Sequence, residues 1–396
     1  MKIKHKKKRR IVLKTVLAVA LTVLFFAASI CNNFIPGEFA DFYGEKIFPF
    51  VSAPIQSLNM FFHFSLTENF IIIGVPILII GLIVWTVILI KKFLSKGAVN
   101  YLYKSYRNLM IIALVAAIVF QAMHGINYRK TDVEDRLNLI EKEELTFEDY
   151  CAALKWAYMG MIEARKHLGE DYNGVAHMSE SFENSATYAN SLINAFGEEY
   201  DIPVSENYVR AKPVSLSHYW SYTYIVGAYD PFLGEVNLNT DYMNITEFPY
   251  TLCHELCHAK GYASETDCNL MSALACCQST RADFRYAGYY EIFWNIYPVA
   301  VEIANATGQV VPQYLVTPEM EPVFRDMRAS YLYWGKIDDE VDAIYERLGF
   351  NVTEASSTVN DTFLKSNGET GVESYIVPDS VYVRFYLTYV DGIEDA

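Results

Sequence analysis

Three long apolar stretches lie in the first third of the chain and predict membrane-spanning helices. They cover residues 11–31, 70–90 and 109–123. About 20 apolar residues cross the hydrocarbon layer of a bilayer as a helix. The first stretch follows a basic start, as in a secretory signal peptide, but no small-x-small cleavage site follows it, so we predict an uncleaved helix. The third is short enough for a buried helix, and its position after two spans favours a third span.

The pattern changes to that of a globular domain after residue 129. Apolar residues recur at helical spacing over 147–168, behind a capping pattern formed by Thr146 and Asp149. A second helix is predicted from Ser181 to Phe196, with Gly197 as its end.

Residues 203–250 have a different character, because prolines separate short segments rich in Tyr, Val and Thr. This composition predicts short strands, and residues 234–239 alternate polar and apolar side chains as a half-exposed strand does. The pattern from Thr251 to about Leu348 is helical, and the tail after residue 350 fits a strand or a helix. The predicted fold is α+β and mostly helical.

Charge separates the two parts of the chain. Residues 1–130 hold 16 Lys and Arg against 4 Asp and Glu, whereas residues 131–396 hold 16 against 43. Nucleic-acid phosphates repel so acidic a domain, so we expect no nucleic-acid partner.

The distribution of basic residues predicts how the helices cross the membrane. The tail 1–10 and the segment 91–107 are both basic, which places both in the cytoplasm by the positive-inside bias. Three spans within residues 11–128 then place residues 129–396 outside, in a multi-pass protein of the cell membrane. If the third stretch does not span, this domain lies in the cytoplasm.

Six of the seven cysteines lie in the acidic domain, and five of them cluster over residues 253–277. On helices, cysteine behaves as a small apolar residue, so we interpret them mostly as buried thiols. An even number outside the cell would also suit disulfides, and their pairing stays open.

An H-E-x-x-H segment, His254 to His258, carries the candidate chemistry. Residues i and i+4 share one face of a helix, so both imidazoles can bind one Zn²⁺ ion. Glu255 then faces the water that zinc activates and can serve as general base. Pro249 stands at the expected helix start, and strand 234–239 is where we expect an edge strand that pairs with a substrate backbone.

A catalytic zinc site needs a third protein ligand, and two carboxylates compete for this position. Gly261 is suited to end the first helix, and Ser264 to begin the next. Asp267 stands three residues after Ser264 and can complete a capping box. Glu265 has the longer reach and pairs at i, i+4 with Asn269, which suggests that Glu265 binds zinc and that Asn269 holds a ligand in place.

The run from Cys253 to Asn269 resembles the H-E-x-x-H-x-x-G-[FY]-x-x-E-x-[ED]-x-N stretch of a bacterial membrane-protein family of unknown function, domain of unknown function 3810. The resemblance covers most of the chain, including the apolar helices. It continues through Lys212-Pro213, Gly227 to Tyr229, Pro231 to Asn237, Phe284 to Tyr289, Phe363 to Lys365, Asn367-Gly368, Gly371-Val372 and Ser374-Tyr375.

This resemblance implies a zincin-like metallopeptidase domain after the transmembrane helices. The chain departs from the family pattern at Asp267, where Glu is usual, and at Cys257 and Cys268, where Ala is usual. Aspartate is the shorter carboxylate, which weakens Asp267 as a ligand relative to Glu265.

Tyr286 is the candidate to stabilise the oxyanion formed during hydrolysis, with Arg285 and His218 as rivals. Packing is the competing role for any one of 30 tyrosines. A motif one residue longer than a haem attachment signal is formed by Cys253, Cys257 and His258. We interpret these two cysteines as residues that pack in the core.

The sequence therefore predicts a membrane-anchored zinc metallopeptidase that acts on a peptide or protein. Its metal ligands would be His254, His258 and Glu265, with Glu255 and Tyr286 as catalytic residues. The alternative is a non-catalytic membrane sensor or cell-envelope scaffold that keeps a structural metal site or none. A haem-binding membrane protein is a further rival.

Overall fold

The computed structural model describes residues 2–95, 97–142 and 144–391, with no side chains for residues 2–10. The side chains of the basic tail, Lys96 of the predicted cytoplasmic loop and the last five residues of the predicted outer domain therefore lie outside the described residues.

The described chain is mostly helical, with one small sheet. Its helices are α1 (Lys2–Ser29), α2 (Gly37–Phe42), α3 (Phe48–Asn59), α4 (Leu66–Leu94), α5 (Ala98–Met123), α6 (Val133–Arg136), α7 (Phe147–Lys166), α8 (Phe182–Glu199), α9 (Ser217–Ser221), α10 (Phe248–Ala259), α11 (Glu265–Cys277), α12 (Ala282–Thr307), α13 (Glu321–Leu348), α14 (Val352–Asn367) and α15 (Asp379–Tyr389). The strands are β1 (Ala211–Pro213), β2 (Gly227–Asp230) and β3 (Glu235–Leu238).

Three of the helices are long and apolar enough to cross a membrane: α1 over Ile11–Ser29, α4 and α5. The third apolar stretch, 109–123, belongs to the 26-residue helix α5, which begins at Ala98. The prediction that residues 91–107 form a loop between two spans is therefore wrong, because α4 continues to Leu94 and α5 starts four residues later.

The contacts among these helices fix their relative directions. Helices α1 and α5 run parallel, since Lys14 Nζ lies 2.5 Å from Asn100 Oδ1 and Gln121 Nε2 donates to Ser29 O at 3.2 Å. Helix α4 runs antiparallel to α5, with Trp85 Nε1 donating to Ser105 Oγ at 2.9 Å. The basic segment from 91 to 107 and the start of α1 thus lie at one end of the bundle, and the globular domain joins the other end.

The core of the globular domain is helical. Helix α7 begins at Thr146, whose side chain and that of Asp149 form the predicted reciprocal cap. It packs extensively along α12, which in turn packs on α11. Helices α10 and α11 lie inside this cluster, and every residue of α11 except Thr266 is buried.

Gly197 does not end helix α8, contrary to the prediction, because α8 continues to Glu199. A Cβ at this position would lie 2.7 Å from the backbone oxygen of Ile202. Glycine is therefore required here for close backbone packing. The tail, which the sequence left ambiguous, forms helices α14 and α15.

The sheet has the order β1-β3-β2, with β1 parallel and β2 antiparallel to β3. The predicted strand at 234–239 is confirmed as β3, but it is the central strand, and its four residues are buried. The prediction that it is the edge strand is wrong. Strands β1 and β2 are the edges of the sheet, and β2 packs against α10.

Candidate metal centre

Helix α10 presents the two histidines of the H-E-x-x-H segment on one buried face. Pro249 lies in its first turn, where a missing N–H costs nothing. Gly261 follows the helix with φ of +103°, and Tyr262 N donates to Cys257 O at 3.1 Å, which closes the helix end. The helix therefore starts and stops as its sequence predicts, with His254 and His258 each only 6% exposed.

Helix α11 brings a carboxylate to these histidines. Ser264 Oγ accepts the backbone N–H of Asp267, so Ser264 is the N-cap and Glu265 is the first helical residue. Glu265 Oε2 lies 3.1 Å from His254 Nε2 and 3.3 Å from His258 Nε2. The two Nε2 atoms are 3.0 Å apart. Each of the three side chains offers one atom that can bind a metal, and these three atoms lie within 4.8 Å of one another.

Hydrogen bonds at the far side of each ring determine which nitrogen is free. His254 Nδ1 lies 2.6 Å from Asn269 Oδ1, and the Asn269 amide nitrogen donates to Tyr375 O, so the amide oxygen faces the imidazole. His258 Nδ1 donates to Tyr262 O at 2.9 Å. Both Nδ1 atoms therefore carry the proton, and in the neutral rings both Nε2 atoms are acceptors.

Three acceptor atoms thus face one another in a buried space. Glu265 Oε2 has no hydrogen-bond donor among the described residues. Buried acceptors without a donor are costly, and two imidazoles with a carboxylate match the ligand set of a catalytic zinc site. These residues fit a divalent metal ion.

The close contacts within this buried cluster also shift the pKa values of His258 and Glu265. Burial lowers the pKa of His258, but the Glu265 carboxylate beside it raises that pKa to about 9 overall. Burial raises the pKa of Glu265, and the two histidines reverse this and hold the pKa well below its usual range. In the absence of a metal, a proton on His258 would satisfy part of this cluster.

Glu255 lies on the next position around α10, beneath the edge strand. A Cβ at Gly227 of β2 would meet Glu255 Cγ at 2.7 Å and Oε1 at 2.8 Å. Glycine at 227 is thus what allows the strand to pass directly over this carboxyl group. Burial raises the pKa of Glu255, which is 6% exposed. The carboxyl group of Glu255 therefore lies between the metal ligands and the edge strand β2.

His124 is a neighbour of the metal ligands that the sequence reasoning missed. It directly follows α5, and its ring centroid is 5.6 Å from that of His258 and 5.7 Å from that of Tyr229. Its Nε2 lies 3.2 Å from Tyr128 Oη, and its Nδ1 is buried without a hydrogen-bond partner among the described residues. Burial and the adjacent His258 lower the pKa of His124 to about 3, so the ring is neutral. A single histidine after an apolar run gave no sequence signal.

Asp267, the rival ligand, points away from the cluster. Its Oδ1 accepts the backbone N–H of Val133 at 2.8 Å. Burial raises the pKa of Asp267 to about 7. The residue therefore joins α11 to the segment that follows α5, and its own backbone N–H donates to Ser264 Oγ.

Tyr286 belongs to a different buried cluster. Its hydroxyl donates to Asp326 Oδ2 at 2.8 Å, and that carboxylate pairs with Arg165 at 2.6 Å. The side chain is fully buried, because α12 turns this face toward α7 and α13. The structure does not bring Tyr286 to the metal ligands, which corrects its predicted role.

The two rivals of Tyr286 also lie elsewhere. Arg285 donates to Ser279 O at 2.8 Å. His218 lies between Asp241 and Glu340, at 2.9 Å and 2.8 Å, on the surface of the domain.

The cysteines near the site are packed in the core as free thiols. Cys253 Sγ lies 3.8 Å from Cys276 Sγ, and Cys257 Sγ lies 3.9 Å from Ser272 Oγ. Cys268 Sγ lies 3.3 Å from His258 Nδ1. Burial raises the pKa of Cys253 and Cys268, which keeps both in the thiol form.

Comparison with known families gives one match. The family model described as Protein of unknown function (DUF3810) matches residues 43–377. The chain belongs to this family, because the match covers well over half of it. No curated protein and no solved structure matches the chain.

Proposed function

We propose that this member of the family is a membrane-anchored zinc metallopeptidase with a zincin-like active site. One observation carries the proposal: buried ligand atoms of His254, His258 and Glu265 lie within 4.8 Å of one another, and Glu265 Oε2 has no hydrogen-bond partner among the described residues. Three protein ligands leave a coordination position open, as catalysis requires.

The ligands are held by their own hydrogen bonds. Asn269 and the Tyr262 carbonyl fix the two imidazole rings, as outer partners of metal-binding histidines do. When bound, zinc supplies Lewis acidity, which activates water and polarises a substrate carbonyl.

Glu255 is the general base in this proposal. Its carboxylate takes a proton from the attacking water and passes it to the leaving amine. The raised pKa that burial gives Glu255 suits a group that must both accept and release a proton. Strand β2, at one edge of the sheet, would pair with the substrate backbone beside this carboxylate.

His124 replaces Tyr286 as the candidate to stabilise the oxyanion. A neutral imidazole can donate one N–H to a developing negative charge, and the His124 ring lies beside that of His258. The residue comes from the end of a membrane helix, so the site would combine both parts of the chain.

The proposed location of the domain is outside the cytoplasm. Basic residues of the 91–107 segment and the domain lie at opposite ends of the helix bundle. The positive-inside bias assigns the basic end to the cytoplasm.

The test is a hydrolysis assay on the purified chain with Glu255→Gln. We expect loss of hydrolysis by at least about 100-fold, as general-base losses give, with zinc content unchanged. Glu163→Gln, an exposed change on α7, is the control and should hydrolyse normally. Substantial loss of zinc from a folded Glu255→Gln variant would give Glu255 a different role.

The rival function is a non-catalytic sensor or scaffold with a structural metal. The burial of the site favours it, since His254, His258, Glu255 and Glu265 are each only 6% exposed. Under this rival the chain binds zinc and hydrolyses no peptide, and Glu255→Gln changes neither property.

A further inference from the structure

Helix α3 has its polar and apolar faces reversed relative to a helix on the surface of a soluble protein. Its buried residues are Phe48, Ser52, Gln56 and Asn59, three of which are polar. Its exposed side includes Phe50 at 79% and Leu58 at 63%. A helix facing water buries its apolar side and exposes its polar side. The arrangement in α3 is the one expected of a helix that faces an apolar medium.

The exposed apolar surface extends through the whole connection between the first two spans. Large exposed side chains of this connection are Phe34, Phe39, Phe42, Phe50, Leu58, Phe61 and Phe64. No Asp, Glu, Lys or Arg lies between Lys46 and Glu68. Exposed apolar surface of this extent marks an interaction surface and is costly in water.

The helices that flank this connection would bring a lipid bilayer next to its exposed apolar surface. The connection leaves the membrane at Ser29 and returns at Leu66, so both its ends lie at one bilayer surface. Helix α3 has 12 residues and spans about 18 Å, too short to cross the hydrocarbon layer. A short helix with Phe and Leu on one face lies in the plane of the interface.

The polar face of α3 is bonded to the metal-binding part of the domain. Gln56 Nε2 donates to Ala259 O at 2.8 Å, one residue beyond His258. Phe48 packs against Gly261, where a Cβ would lie 2.9 Å from the ring. Asn59 Nδ2 donates to Leu233 O, in the turn between β2 and β3, at 3.1 Å.

A second membrane segment reaches the same site. His124 directly follows the third span and lies beside His258. Phe232, in the turn between β2 and β3, contacts Phe120 of that span with ring centroids 6.3 Å apart. The metal ligand His258 therefore lies beside the residue that directly follows the third candidate span.

We propose that α3 is an interfacial helix whose apolar face enters the lipid, and that it holds the metal centre at the bilayer surface to act on membrane-tethered polypeptides close to their membrane anchor. The substrate class rests on the proposed hydrolytic function, whereas the position of α3 does not.

Photo-crosslinking of the full chain tests the position of α3. p-Benzoylphenylalanine replaces Phe50 in one variant and Tyr172 in the control, and each protein is reconstituted in phosphatidylcholine–phosphatidylglycerol vesicles. Tyr172 is 97% exposed in a polar loop of the globular domain. We expect a mass increase of one phospholipid at residue 50 and none at residue 172. A covalent dimer, or no lipid adduct, at residue 50 would overturn the proposal.

A pair of tethered peptides tests the substrate class. Both carry the same cleavable sequence on one transmembrane anchor, at about 5 or about 40 residues from the bilayer, which separates the two by over 100 Å when extended. We expect the near site to be cut at least tenfold faster. Equal rates, or faster cutting of the far site, would overturn the substrate class. Cleavage of neither would count against the hydrolytic function and its substrate class, while the lipid adduct would still decide the position of α3.

Discussion

Glu265 and Asp267 stand two residues apart on α11, yet only Glu265 turns its carboxylate to the histidines. We expect Glu265→Ala to abolish tight zinc binding and Asp267→Ala to leave the zinc affinity nearly unchanged. Asn269→Ala should weaken zinc binding by about 10–100-fold, because Asn269 holds the His254 ring. Zinc titrations on the three variants, with circular dichroism as the folding control, measure this order. Loss of zinc in Asp267→Ala alone would make Asp267 the ligand.

The protonation of His258 predicts how zinc binding depends on pH. Glu265 raises the pKa of His258 to about 9 in the metal-free protein, above the unfolded value of 6.5. This proton stabilises the metal-free fold fully below pH 6.5, and the stabilisation is lost as pH rises through 9. Zinc requires the neutral ring, so its apparent affinity should rise by up to about tenfold per pH unit between about 6.5 and 9.

Competition with a chelator of known affinity, at several pH values in that window, measures the slope. The chelator's own protonation is corrected in the same titrations. A zinc affinity independent of pH across the window would contradict the assignment of His258.

The candidate ligands could be predicted from sequence because they lie within 12 residues on two adjoining helices. Pro249, Gly261 and Ser264 determine the ends of those helices by local backbone chemistry, so the spacing of the ligands could be read directly. His124 could not be predicted, because its contact with His258 joins residues 134 positions apart. The predicted role of Tyr286 was wrong for the same reason, since its partner Asp326 lies on another helix.

Among the elements, Glu235 of strand β3 joins β3 to β1 by a buried ion pair and to the start of helix α4 by hydrogen bonds. Lys212 Nζ lies 2.8 Å from Glu235 Oε1, with both side chains at most 1% exposed. The same carboxylate accepts the backbone N–H groups of Leu66 and Thr67 at the start of the second span. Both charged residues belong to segments that carry the family resemblance, but nothing in their spacing indicated that they pair.

We expect Glu235→Ala to lower the free energy of unfolding by about 3–5 kcal/mol, because it leaves the Lys212 charge buried without its partner. Thermal unfolding of the detergent-purified chain measures the loss. Adding Lys212→Met should recover part of it, and Glu163→Ala in the exposed pair on α7 is the control. An unchanged unfolding temperature in Glu235→Ala would show that the pair does not support the junction.

Element boundaries were predictable where local signals decide them and unpredictable where packing does. The cap at Thr146 and the helix end at Gly261 follow from backbone chemistry. Gly197 looked like a helix end but serves close packing against Ile202. The order of the strands depends on pairings between distant residues, so the central position of β3 was not visible in its alternating pattern.

In the whole molecule, the candidate membrane helices and the globular domain share a polar junction. Glu68, in the first turn of α4, accepts the backbone N–H groups of Ser215 and Leu216 at 2.9 Å and 2.6 Å. Thr131, beyond the third span, bonds Asp41 of the first connection at 2.6 Å. Contacts of this kind cross the boundary that we predicted at residue 129, which composition and charge alone had suggested.

The proposed orientation has a direct test in cells. A reporter that is active only outside the cytoplasm, fused after Ala396, should be active, and the same reporter fused at Gly97 between α4 and α5 should be silent. The reason is the basic segment 91–107 at the end of the bundle opposite the domain. The reverse pattern would place the domain and its metal centre in the cytoplasm.

The central claim is that one zinc ion binds to His254, His258 and Glu265. Its most direct test is the metal content of the purified full-length chain, measured by mass spectrometry of the eluted metal. We expect one zinc per chain, falling to near zero in a folded variant with both histidines replaced by Ala and remaining at one in Asp267→Ala. A wild-type chain that stays folded and binds no zinc even when zinc is supplied in excess would contradict it.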